Sequence, residues 1–80
     1  MEVEYRFKSS PGAIKDFISG TVWADMKTEL NGAIDQMHKG LEGAKDFESV
    51  LRLQECIETI KRILMMPEVI LGDIEEYNNN

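Results

Sequence analysis

The 80 residues include one cysteine, one histidine, one tryptophan and two prolines, and each scarcity excludes something. With Cys56 alone, no disulfide can close within the chain and no set of thiolates can surround a metal. That usage fits a reducing, intracellular compartment, and Cys56 itself reads as a small buried hydrophobe. His38 has no cysteine or carboxylate at a ligand-like spacing, so its imidazole reads as a solvated or locally hydrogen-bonded side chain. No apolar run approaches the roughly 20 residues of a bilayer-spanning helix, and no signal-peptide core follows the start MEVEYRFK.

Positive charge is also scarce. Nine Lys and Arg residues face fifteen Asp and Glu, giving a formal net charge of -6, and only Lys61 and Arg62 are adjacent basic residues. Phosphate backbones and anionic membranes repel such a chain, so neither direct nucleic-acid binding nor membrane binding is expected. Glycine-rich phosphate loops, a nucleophile elbow and the oxygen spacing of a calcium loop are all missing. Asp25 with Glu29 and Glu75 with Glu76 read as solvated surface charge. No catalytic, cofactor-binding or metal-binding residue is assigned, no cofactor is expected, and the chain is not read as an enzyme.

What is present is helical periodicity. The composition, 42% hydrophobic and 30% charged, is that of a chain that folds. Residues 1–10 form an arm in which Val3, Tyr5 and Phe7 alternate with charged residues. That period of two suits a strand paired with a partner's sheet edge or with a second copy, and the alternatives are an extended arm or a frayed terminus. Ser10 as N-cap and Pro11 at the first helical position start a short helix over residues 11–19, with Ala13, Ile14, Phe17 and Ile18 on one face.

Thr21 is placed to cap a long helix over residues 21–43, whose Trp23, Met26, Leu30, Ala33, Ile34, Met37 and Leu41 recur in heptad fashion. Gly43 suits a left-handed C-cap, and Asp46 caps a third helix over residues 46–66 carrying Phe47, Val50, Leu53, Ile57, Ile60 and Leu64. Glu48 with Arg52 and Glu58 with Arg62 stand four apart in the favourable order. Pro67 is expected to end that helix. Val69, Ile70 and Leu71 then form an exposed corner, and residues 72–80 read as an acidic tail.

The expected fold is therefore one all-α domain over residues 1–80: an antiparallel two-helix hairpin, a short N-terminal helix laid across one end, and an extended N-terminal arm that either forms a strand or stays irregular. A chain this short buries only about 60% of its unfolded surface, and a two-helix seam covers one side of each helix. The surplus apolar positions point to self-association or a larger partner protein. The residues assigned to that contact are Val3, Tyr5, Phe7, Phe17, Trp23, Val69, Ile70 and Leu71. The five methionines, Met26, Met37, Met65 and Met66 among them, are adaptable side chains that serve either core packing or a binding surface.

Trp23, Asp25 and Leu30, then Leu53-Gln54, then Met66-Pro67-Glu68 follow a pattern that resembles a set of small uncharacterised helical proteins encoded among the virion genes of tailed bacteriophages. Glu55 stands where that pattern usually has glycine. The resemblance implies a phage origin, a place in the host cytoplasm or the virion, and a role as a minor virion component or assembly factor acting by protein–protein contact. Two rivals differ in charge layout. An acidic phage inhibitor of a host protein, mimicking nucleic acid, needs a continuous acidic ridge. A DNA-binding regulator needs a basic helix face, which neither of the first two helices has.

Overall fold

A computed structural model of the chain describes residues 6–79, and among them the protein is all-helical, with three α-helices and no strand. Helix α1 spans Pro11–Ser19, α2 spans Thr21–Gly43 and α3 spans Phe47–Asn79. The start of α1 is built as its sequence dictates: the Ser10 hydroxyl accepts from the Ala13 N–H at 3.1 Å, and Pro11 takes a position whose N–H would be unbonded in any case.

A single residue, Gly20, separates α1 from α2, with extended backbone at φ -82 and ψ 163 and its N–H donating to the Phe17 carbonyl at 3.1 Å. A Cβ there would stand 3.1 Å from the Asp16 carbonyl oxygen, so glycine lets the two helices meet at a sharp bend. Gly20, not Thr21, is therefore the N-cap of α2, and no side chain caps that terminus.

At the other end, Gly43 is the last residue of α2 and does not take a left-handed conformation. The extended Ala44 is the C-cap, and its N–H reaches the Leu41 carbonyl at 3.3 Å. Asp46 then opens α3 as its sequence suggests. Its carboxylate accepts the Ser49 backbone N–H at 2.7 Å, which, with the Ser49 side chain, holds the carboxyl below its ordinary value of 3.8. Arg52 donates to Glu48 at 2.6 Å, whereas Glu58 pairs with Lys61 at 3.6 Å rather than with Arg62.

The largest departure from expectation lies beyond residue 66. Instead of stopping at Pro67, α3 continues for its full 33 residues, so the supposed corner at 69–71 and acidic tail at 72–80 are helical as far as Asn79. Proline inside a helix loses one backbone bond and crowds the carbonyl four residues earlier, at a cost of about 3 kcal/mol. Tertiary burial offsets that cost. Pro67 is buried, and Ile74, about two turns further on, is the most enclosed side chain among the described residues at 0% exposure.

α1 helps cover this second half of α3. Ile14 and Phe17 share a pocket with Pro67 and Ile70, and Lys15 pairs with Glu75 at 3.6 Å. From the arm, Arg6 reaches Asp73 at 3.4 Å, with its guanidinium 4.6 Å from the Phe7 ring centre. Both ion pairs are solvent-exposed and worth at most about 1 kcal/mol each, so apolar contact of Ile14 and Phe17, not charge, holds α1 in place.

Contacts between α2 and α3 run in opposing order along the two helices. Gly40 faces Leu53, where an added Cβ would lie 3.3 Å from a leucine methyl, while Trp23 and Met26 lie beside Ile63, Met66 and Pro67. The resulting core is small. Trp23, Ile34, Ile57 and Ile74 are its buried hydrophobic side chains among the described residues. The chain measures 51 × 35 × 15 Å with a radius of gyration of 17.0 Å, against about 11.6 Å for a compact domain of this length.

Candidate partner-binding surface

Helix α1, the first two turns of α2 and the middle of α3 enclose an open groove of about 250 Å³. Every side chain lining it is apolar. Ile14 and Phe17 come from α1, Trp23 and Met26 from α2, and Ile63, Met66, Pro67 and Ile70 from α3. The spacing explains the assembly: Ile63, Met66 and Ile70 stand three and four apart on one face of α3, and Trp23 and Met26 stand three apart on α2.

Trp23 forms the floor. It is only 3% exposed, and the Phe17 ring lies against it with centroids 5.4 Å apart and planes tilted by 36°. That distance is within the range where aromatic pairs add about 0.5–1.5 kcal/mol beyond area burial. The indole Nε1 is buried with no hydrogen-bond partner, a desolvation cost of about 1–3 kcal/mol. Phe17, Met26 and Met66 form the rim, each partly open to solvent.

The groove continues along α2 into a second trough of about 360 Å³ between Met26, Leu30 and Ile63, bordered by Asp25 and Glu29. Both carboxylates are on the surface, so the apolar floor carries an acidic lip on its α2 side. Among the described residues no group of three or more His, Cys, Asp or Glu side chains is placed to hold a metal ion. His38 is exposed, and Cys56 is exposed rather than buried, because it falls on the flank of α3 that turns away from α2.

The structure sorts the residues expected to make partner contacts. Val3 and Tyr5 lie outside the described residues. Phe7 is half-buried under Arg6. Phe17 and Ile70 meet in the groove, and Trp23 joins them as its buried floor rather than as exposed contact surface. Val69, Ile70 and Leu71 do not form one patch. Because α3 is continuous there, neighbouring residues point about 100° apart: Val69 faces solvent at 53% exposure, while Ile70 and Leu71 are half-buried.

The groove residues not assigned to partner contact from sequence are Ile14, Met26, Ile63, Met66 and Pro67. The methionines were the available signal, since flexible thioethers recur where an apolar surface must adapt.

Beyond the groove, Val22, Phe47, Leu51, Met65 and Tyr77 are also exposed large side chains. The chain exposes 6378 Å², whereas a typical folded monomer of 9.1 kDa exposes about 4,900 Å². Among the described residues, no helix is long and apolar enough to cross a membrane. Compared with protein-family models, curated proteins and solved structures, the chain matches none.

Proposed function

We propose that this chain is a non-enzymatic protein–protein interaction module of a tailed phage, a minor virion component or assembly factor. Its antiparallel α2–α3 hairpin serves as scaffold, and its groove receives an amphipathic helix of a larger phage protein. The observation that carries the reading is the groove itself: an open, wholly apolar floor with Phe17, Met26 and Met66 at its rim. Side chains that line it carry no acid or base, so it offers contact area rather than chemistry. The acidic lip at Asp25 and Glu29 favours a helix that is apolar on one face and basic beside it. The phage setting, and with it the host cytoplasm or virion as location, rests on the sequence resemblance alone.

The test is recovery of the tagged full chain from phage-infected cells, alongside Met66→Glu in the groove and Gln36→Glu on the exposed face of α2. Helicity is checked for each by circular dichroism. A phage structural protein is expected to co-purify with the wild type and with Gln36→Glu and to be lost with Met66→Glu. Recovery of a host nucleic-acid enzyme instead, with binding that falls steeply with salt, favours the acidic-inhibitor alternative. Partners indifferent to Met66→Glu overturn the groove as the docking site.

A further inference from the structure

A different face of α3 carries four large apolar side chains in the open: Phe47 at 76% exposure, Leu51 at 41%, Met65 at 62% and Val69 at 53%. Their spacing is four, fourteen and four residues, which reads the same in both directions and has its midpoint at Glu58. At about 100° per residue, all four lie within about 20° of the line through Glu58. We propose that this face binds a second copy of the chain, two α3 helices packing antiparallel about a two-fold axis at Glu58.

In that register Phe47 meets Val69 of the second copy and Leu51 meets Met65, each contact occurring twice, as an isologous interface requires. The polar residues between them also become complementary: Gln54 faces Arg62 of the second copy and Glu55 faces Lys61. Glu58 meets its own counterpart, but each already has Lys61 at 3.6 Å, which brings a cation to the axis. Parallel pairing in register sets Glu55 against Glu55 and Arg62 against Arg62, like charge on like, and is disfavoured.

Between the apolar ends lies an open depression of about 500 Å³ bounded by Leu51, Gln54, Glu55, Glu58, Thr59 and Arg62, all on this face of α3. Ile63, Met66 and Ile70 lie about 80–140° further round α3, so the pairing leaves the groove open and does not depend on its occupant.

Sedimentation equilibrium of the full chain gives the first readout, with a mass of twice 9.1 kDa expected for the wild type and the single mass for Met65→Glu. Met66→Glu in the groove should leave the mass at the dimer value, which separates failure of this proposal from failure of the groove. Disulfide mapping in a Cys56→Ser background fixes the register. Glu58→Cys should cross-link to itself, Leu51→Cys alone should not, and Leu51→Cys mixed with Met65→Cys should.

A wild type that stays monomeric at every concentration up to precipitation overturns the proposal. A mass unaffected by Met65→Glu, or Leu51→Cys that links to itself as fast as Glu58→Cys, does so too. Retained helicity in circular dichroism shows that each variant is folded.

Discussion

Replacing Pro67 with alanine should raise the stability of the protein. In a continuous α3, Pro67 is an interior residue, and an interior proline costs about 3 kcal/mol relative to alanine because it cannot donate to the Ile63 carbonyl and crowds it. Its ring is buried, so trimming it removes two carbons from the core at about 0.8 kcal/mol each. The difference is about 1.4 kcal/mol in favour of alanine. For a domain of this size each kcal/mol moves Tm by about 4–8 °C, so the melting midpoint should rise by roughly 6–11 °C. Thermal unfolding followed by far-ultraviolet circular dichroism reads the shift. An unchanged or lowered Tm refutes the reasoning, since a proline at a helix end is favoured there by its fixed φ and gains nothing from replacement.

Three further outcomes follow from the same packing. Ile74→Ala should cost about 2–5 kcal/mol in urea denaturation, because Ile74 is 0% exposed and anchors the post-proline half of α3. A loss below about 1 kcal/mol would contradict that docking. Gly32→Ala should stabilise by about 1 kcal/mol, having nothing within 4 Å of the new methyl, and Gly40→Ala by less, because its methyl meets Leu53 at 3.3 Å. A larger gain at Gly40 than at Gly32 would misplace the α2–α3 contact.

Asp46→Ala should lower Tm at pH 7. The cap holds the folded carboxyl below 3.8, so its stabilisation is present above that value and lost as pH falls through the folded pKa. The gap between wild type and variant should therefore narrow as pH falls through the folded pKa, below 3.8, while Asp46→Asn, which caps without titrating, keeps its advantage over alanine there. A gap independent of pH would remove Asp46 as the titrating cap.

The bounds of α1 and α2 were legible because local chemistry decides them. Ser10-Pro11 starts one helix and Gly20 divides it from the next, and the Asp46 cap on α3 is equally local. The far end of α3 was not legible, since the proline signal at residue 67 is local while the burial that overrules it comes from Ile74 and from α1, about fifty residues earlier in the chain. That single misreading turned residues 69–71 into an exposed corner and dispersed the candidate surface. With the helix continuous, periodicity itself separates Ile63, Met66 and Ile70 in the groove from Met65 and Val69 on the outer face. Trp23 lines the groove beside Met66 and Pro67, and its place as floor rather than rim depends on the Gly20 bend that brings Phe17 over it.

The central claim is that the chain leaves an apolar groove uncovered by its own residues. It is tested most directly by methyl NMR of methionine-labelled Met65→Glu protein, in dilute solution and with a soluble paramagnetic probe. The account predicts that the Met26 and Met66 methyl signals are strongly attenuated and that of half-buried Met37 is attenuated less. Met26 and Met66 signals shielded as well as that of Met37 in the isolated chain would mean that the groove is closed from within, and would contradict the account.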